Sequence, residues 1–251
     1  MSDLTGKRIV VTGGTRGVGL ETVRLLAQQV AQVAFTGRTA QAVERALDQL
    51  GHPANVTGHA CDVRDTAAMA AVIAEGCDVL VNNAALGGGF ATLHETPPDE
   101  IAECIEVNLI AAIQTAQLAI TRMLESGGGT IINISSGLAM RAFPRMGNYC
   151  ITKAGLNMAT RAIDVEYRDS GIRTFGFQPG VVDTDMQAGL QNSGLPREML
   201  PPADKMLPPE DPAQVIAFLC TSGADPFIGQ ELAIYSPELQ DAMGVSGKWV
   251  Y

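Results

Sequence analysis

Residues 8–19 read Arg8-Ile9-Val10-Val11-Thr12-Gly13-Gly14-Thr15-Arg16-Gly17-Val18-Gly19. A β-branched run, a cluster of glycines and an amphipathic stretch from Gly17 to Gln29 spell strand, tight turn and helix. Glycines let the backbone turn sharply and approach a pyrophosphate, while free N–H groups and the helix dipole favour its charge. Because the glycines stand in the strand–turn–helix context that such a loop needs, Gly13, Thr15, Arg16, Gly17, Val18 and Gly19 are expected to cradle a dinucleotide.

Outward from this loop, apolar runs and amphipathic stretches keep alternating. Strands are predicted at Arg8–Thr12, Gln32–Thr36, Asn55–Cys61, Asp78–Asn82, Thr130–Ile134 and Arg173–Gln178. Helices are predicted at Gly17–Gln29, Ala40–Leu50, Thr66–Glu75, Pro98–Glu125 and Asn148–Ser170. Such alternation marks βαβ units. The expected fold class is α/β: a single-domain Rossmann-type doubly wound parallel sheet with helices on both faces, spanning residues 1–251. Between Met186 and Pro209, Pro, Met and Leu accumulate without a period, which reads as a substrate flap over residues 186–209. A helix at Pro212–Thr221 and a last strand at Glu231–Tyr235 follow. The tail 237–251 holds the only tryptophan and reads as a cover for the active site, a contact with a partner, or a disordered end.

Composition narrows the function. The 251 residues are 46% hydrophobic and 18% charged, with 27 glycines, which suits a buried parallel sheet. A net charge of −10 argues against nucleic-acid or anionic-membrane partners, which need clustered cations. Cys61, Cys77, Cys104, Cys150 and Cys220 are odd in number and form no CxxC, so reduced thiols are expected and no metal site. The start, MSDLTGKRIVVTGG, lacks the charged-then-apolar layout of a leader, and no window holds 18 consecutive apolar residues, so a soluble cytoplasmic protein is expected. The two long helices carry apolar positions on more than one face, which predicts a homodimer or homotetramer.

The end of the second strand reads Phe35-Thr36-Gly37-Arg38-Thr39. An acid there would hold a ribose 2′-hydroxyl and repel a 2′-phosphate. This chain offers Arg38 instead, with Arg16 nearby in the loop, so NADP(H) is the expected cofactor. Cys61-Asp62-Val63 and Asn82-Asn83-Ala84-Ala85-Leu86 follow strands three and four, at the sheet edge where ligands bind. Asp62 either accepts from the adenine amino group or caps the next helix.

Tyr149 and Lys153 are four residues apart on a helix and share one face. A free tyrosine has a pKa of about 10, too high for proton traffic at neutral pH. A lysine charge about 4 Å away, at an effective dielectric of about 20, stabilises a phenolate by about 4 kcal/mol and predicts a pKa near neutrality. Ser135 and Ser136 end the fifth strand at the same edge, and Ser136 is preferred because Gly137 lets the chain turn away behind it.

These residues carry a resemblance. The glycine loop, Asn82-Asn83-Ala84, Val107-Asn108-Leu109, Ser136, Tyr149-xxx-Lys153 and Pro179-Gly180-Val181-Val182-Asp183-Thr184 resemble, in order and spacing, the short-chain dehydrogenase/reductase family. The resemblance implies that Tyr149 protonates a carbonyl oxygen, Ser136 hydrogen-bonds it, and Lys153 holds the nicotinamide ribose. It further implies that Asn108 anchors a water in a proton relay, that Val182 and Thr184, after Pro179 and Gly180, grip the carboxamide, and that Asn83, Ala84 and Ala85 support the adenosine side. Leu138, Met146 and Met186, with Ser136 and Tyr149, are the expected substrate contacts, and the many apolar side chains around them suit a medium-sized, largely apolar ketone or alcohol.

The family pattern is broken in three places. Ala85 stands where a glycine is usual, which is mild if its φ is negative. The segment between strands three and four is short. The last strand reads Gly229-Gln230-Glu231-Leu232-Ala233-Ile234-Tyr235-Ser236-Pro237-Glu238, without the usual Asp-Gly-Gly ending. Rival readings are an NAD-dependent alcohol dehydrogenase and a dinucleotide sensor without turnover.

Overall fold

The computed structural model describes residues 4–250. Seven strands form where the β-branched residues concentrate: β1 (Arg8–Val11), β2 (Gln32–Gly37), β3 (Val56–Ala60), β4 (Val79–Asn82), β5 (Gly129–Ile134), β6 (Ile172–Gln178) and β7 (Glu231–Ala233). They form one sheet in the order β3-β2-β1-β4-β5-β6-β7, every neighbouring pair parallel. The chain walks outward from β1 to β3 and then returns to β4 on the other side of β1. The order reverses there, opening a crevice at the carboxyl ends of the strands.

Successive residues of a strand point to opposite faces, and the two cores follow that alternation. Ile9, Val11, Ile132, Ile134, Phe175, Phe177 and Leu232 fill one side. Val10, Leu80, Ile131 and Ile172 fill the other. The first side is covered by α1 (Gly17–Gln28), α2 (Ala40–Leu50) and later elements of the chain, the second by α3 (Thr66–Ala74), α5 (Ala111–Ser126) and α6 (Gly147–Tyr167), with α4 (Pro98–Ile105) packed on α6. The doubly wound expectation holds, and α3 is as short as the compressed segment implied.

Between α4 and α5 the helix does not break. A π turn, Glu106–Ile110, joins them into one rod over Pro98–Ser126. By length and composition this rod could cross a membrane, yet half of its most apolar window is buried within the domain. The flap has more structure than its composition foretold: α7 (Asp185–Gln191) and two 3-10 turns lie within it. Its end is pinned back to the segment that follows β6 by a bridge between Val182 and Leu207. Next come α8 (Glu210–Leu219), packed on α1, and α9 (Pro237–Ala242), a helix inside the segment read as tail.

The last strand stops at Ala233 rather than Tyr235, because Ser236 turns back on Ala233 ahead of Pro237. Trp249 is 3% exposed among core residues. Gln240 pins it, its Nε2 donating to the Trp249 carbonyl at 2.9 Å and its Oε1 accepting from the Trp249 N–H at 3.2 Å. The tail therefore docks on α8 and does not cover the active site; Tyr251, at its end, lies outside the described residues.

Candidate functional site

The glycine loop meets β4 at the crevice. Asn83 ties the two together: its Nδ2 donates to the carbonyls of Thr12 and Gly13, each at 3.0 Å, and its N–H donates to Thr12 Oγ1 at 3.0 Å. Ala84 N–H shares that hydroxyl at 3.1 Å. A Cβ at Gly19 would overlap the Gly13 carbonyl and Asn83 Nδ2, so only glycine lets α1 start this close to the loop. Asn83 thus shapes the loop from behind. At the N-terminus of α1, Arg16 makes no side-chain cap and the first turn holds no acid. Its N–H groups are left for an anion, and a pyrophosphate fits that cradle.

At the end of β2, Gly37 is buried, and a Cβ on it would run into the Thr15 methyl. An acidic side chain has no room there unless Thr15 moves. Arg38 is exposed beside it and exerts a through-space pull on Asp62. Thr39 caps α2, its hydroxyl accepting from Ala42 N–H at 3.2 Å. Arg16 is turned the other way, its guanidinium 2.6 Å from Asp185 on α7. Val63 lines an apolar pocket with Cys61, Met69, Ala84 and Leu86.

Asp62 does not cap α3. Asp65 does, accepting from Ala68 N–H at 3.0 Å, because it stands at the position whose side chain reaches the first turn. Asp62 instead accepts from Arg64, from Nε at 3.0 Å and from a terminal nitrogen at 2.7 Å, and this hydrogen bonding holds its carboxyl below the usual range. Among the described residues, the non-glycine ones with positive φ are Val30, His52, Phe90 and Arg145, so Ala85 is unstrained and the mild reading of that departure stands.

Across the crevice, Gly180 turns the chain after Pro179, and Thr184, at the N-cap of α7, sits beside Gly17. Thr184 Oγ1 is 3.3 Å from the Val182 carbonyl. The PGVVDT segment and the glycine loop therefore face one another, as a ligand spanning both requires.

Ser136, Tyr149 and Lys153 converge at the end of β5. The Ser136 hydroxyl lies close enough to Tyr149 to favour its phenolate, and its Oγ accepts from Leu138 N–H at 3.1 Å. Lys153 Nζ is 5.5 Å from the centre of the Tyr149 ring and donates to the Ile134 carbonyl at 2.7 Å. Here the expected titration is overturned. Burial pushes Tyr149 up to about 12, outweighing the Ser136 hydrogen bond that pulls it down, and burial brings Lys153 from 10.5 to about 8. The lysine charge is spent on a carbonyl, while both groups lose water.

Asn108 sits in the π turn, a feature that clusters at functional sites. Its Oδ1 accepts from Leu86 N–H at 2.7 Å, and its Nδ2 donates to the Leu86 carbonyl at 2.9 Å and to Thr152 Oγ1 at 3.2 Å. It clamps the loop after β4 to α6, the helix that carries Tyr149 and Lys153.

Above Tyr149 lies an apolar cluster. Met146, Tyr149, Cys150 and Leu190 are buried, with Phe90, Leu138, Phe143, Met186, Leu195 and Leu200 packed on them. The expected substrate contacts Leu138, Met146 and Met186 are together. Met206, in the same flap, stands outside the cluster, and Leu207 joins the core that α8 covers, because the flap has by then turned back to Val182 in the segment after β6. Phe90 escaped the sequence reading; its signal is the run Gly87-Gly88-Gly89 ahead of it, which lets it turn at φ 54° under α7. Tyr149 is 8% exposed beneath the flap residues Met186, Leu190, Leu195 and Leu200.

The comparisons agree with this geometry. A family model for short chain dehydrogenase matches residues 7–193. The chain is 30% identical over 241 residues to a 3alpha-hydroxysteroid dehydrogenase of Mediterraneibacter gnavus, covering 92% of this chain and 96% of that protein. It is 33% identical over 244 residues to a cis-4-hydroxycyclohexanecarboxylate dehydrogenase of Sinomonas cyclohexanicum, covering 93% and 97%. Among solved structures, a variant of actinorhodin polyketide ketoreductase with NADPH matches at a TM-score of 0.84 and 26% identity, over 93% of this chain and 97% of that one. Motifs, sheet order and relatives converge, and the chain belongs to the short-chain dehydrogenase family of nicotinamide-dinucleotide oxidoreductases.

Proposed function

We propose that this oxidoreductase uses NADP(H) to interconvert a medium-sized, largely apolar ketone or aldehyde and its alcohol. One observation carries the cofactor choice: the Thr15 methyl occupies the space over Gly37 where an acid would stand, and Arg38 is exposed next to it. A 2′-phosphate finds a cation there and no repelling carboxylate. The ketoreductase neighbour, solved with NADPH, is consistent with this.

A bound reduced nicotinamide supplies the hydride. The residues of this chain do the rest. Gly13, Gly17, Val18 and Gly19 offer backbone to the pyrophosphate, and Val182 and Thr184 orient the far end. Tyr149 holds its proton firmly at neutral pH, which suits a donor to the carbonyl oxygen: as the C=O pair moves onto oxygen, the phenol proton follows it, and Ser136 steadies that oxygen. Lys153 balances the resulting phenolate. The apolar cluster under the flap excludes water and favours an apolar substrate.

Fluorescence titration with NADPH and NADH, on wild type and Arg38→Ala, tests the reading. Tighter NADPH binding that falls at least about tenfold in the variant, as loss of a charged hydrogen-bond partner implies, supports it. Tighter NADH binding overturns the cofactor choice, and a wild type that binds but never transfers hydride to any ketone favours a sensor.

We also propose a homodimer or homotetramer. Ile151, Ala154, Met158, Ala162 and Val165 form an exposed apolar line along α6, with Arg161 at its edge, and Leu124 on α5 is exposed as well.

A further inference from the structure

Glu231 is the first residue of the edge strand β7, yet its carboxylate is buried. The register explains where it goes. Asn133, Gly176 and Glu231 lie in one row across β5, β6 and β7. Asn133 faces α6, its Nδ2 donating to Thr160 at 2.9 Å, so the whole row faces α6. Gly176 has no side chain, and the Glu231 carboxylate bends into that gap: a Cβ on Gly176 would overlap Oε2. Gln178, two residues on and on the same face, donates from Nε2 to Oε1 at 3.1 Å. Oε2 has no hydrogen bond of good geometry, and neither does the buried hydroxyl of Ser135, which lies close enough to favour the ionised carboxyl.

Ser135 is the residue after Ile134, whose carbonyl takes the Lys153 ammonium. On one side of this short piece of β5 stands the buried cation of the site, and beside it a buried acid. Nothing in the hydride-transfer chemistry above uses that acid. A buried carboxylate without a cation is costly, and a buried ammonium likewise, so each offsets the other's loss of water.

We infer that Glu231 is a positioning residue for the reaction, a buried counter-charge behind Lys153 that keeps the ammonium protonated and aimed at the Ile134 carbonyl beneath Tyr149. This rests on the proposed oxidoreductase chemistry for its consequence, though not for its geometry. The charged and titratable surroundings are consistent with it. Glu231 feels Lys153 and Arg161 from α6, while Lys153 feels Glu231 from β7 and Cys104 from α4. Beyond them, the Asp164–Arg168 pair closes the end of α6 beside Gly229. Burial raises the Glu231 carboxyl, and Ser135, Gln178 and Lys153 pull it back down.

The test is a titration of lysine side chains by carbon-13 NMR in the cofactor-free protein, with the Lys153 signal assigned by its loss in Lys153→Met. In Glu231→Gln the Lys153 titration should move measurably acid-ward, the direction that removal of an opposite charge dictates. The alkaline fall in kcat should move with it. Gly176→Ala offers a second route, since it pushes the carboxylate out of its gap while leaving the charge on the chain, and it should move the titration in the same direction. A folded Glu231→Gln protein whose Lys153 titrates as in wild type overturns the inference. If that variant does not fold, an unmoved titration in Gly176→Ala does so. The lysine titration needs no turnover, so a failure of the oxidoreductase reading shows separately, as a wild type with the shift but without hydride transfer.

Discussion

Lys153 is 2% exposed, and losing its water lowers its pKa from 10.5 to about 8. That depression is a statement about stability. Between those two values the unfolded chain holds a proton that the folded one has given up, so stability rises with pH across the window. Below pH 8 both states are charged and the full cost of burial is present; above 10.5 both are neutral and it is gone. At about 1.4 kcal/mol per unit the cost is about 3 kcal/mol. Lys153→Met removes the charge and with it this pH dependence, although it also leaves the Ile134 carbonyl without its donor. Urea denaturation of both proteins from pH 7 to 10.5 should therefore show wild type gaining on the variant as pH rises through 8. Parallel curves would mean that the lysine is not held at this cost. The position of the pair was legible in the sequence, because four residues are about one helical turn. Its titration was not, because spacing says nothing about how much water the two groups lose. Glu231 was illegible for a related reason: only the register of three strands reveals that its row faces α6.

The flap illustrates what happens at the scale of an element. Its Met and Leu residues were read correctly as apolar, but α7 was not seen, since a seven-residue helix spends its apolar positions on a pocket and shows no sustained period. The π turn that carries Asn108 is likewise invisible in the spacing of apolar residues along its rod. Once α7 is placed, a contact across the crevice follows. Asp185, in its first turn, pairs with Arg16 of the glycine loop, both side chains about two-thirds exposed, at 67% and 71%. An exposed pair is worth about 0.2–1 kcal/mol, too little to hold the flap by itself. It does compete with any phosphate for Arg16. Asp185→Asn should therefore bind NADPH up to about fivefold more tightly, the equivalent of 1 kcal/mol released, and change the melting temperature little. The same fluorescence titration measures it. Weaker binding in the variant would show that Asp185 supports the cofactor site and does not compete with it.

At the scale of the whole molecule, the doubly wound parallel sheet was legible from the alternation of strands and helices, while the C-terminal region was not, because Leu239 and Trp249 enter a core shared with α8 and the sheet, and Lys248 reaches Gln214 of α8. The surface poses the larger question. α6 buries Tyr149, Lys153, Leu156 and Thr160 against the sheet and turns Ile151, Ala154, Met158, Ala162 and Val165 outward. Met158 is 61% exposed and Val165 84%, on an apolar line of fifteen residues that runs about 21 Å at 1.5 Å per residue, with the exposed Arg161 at its edge. An apolar helix line of this length is unusual against water, and two copies packed through it would bury it with small alanines allowing close approach. The helix also carries Tyr149 and Lys153, so such an interface would stiffen the candidate site from behind. Wild type should elute with light-scattering masses of two or four chains of 26.4 kDa at micromolar concentration. Met158→Glu with Val165→Glu places carboxylates on the face without touching the core, so the variant should melt cooperatively and run as a monomer. A wild type already monomeric, or a variant that assembles unchanged, would leave the α6 face as exposed surface and send the search for an interface elsewhere on the molecule.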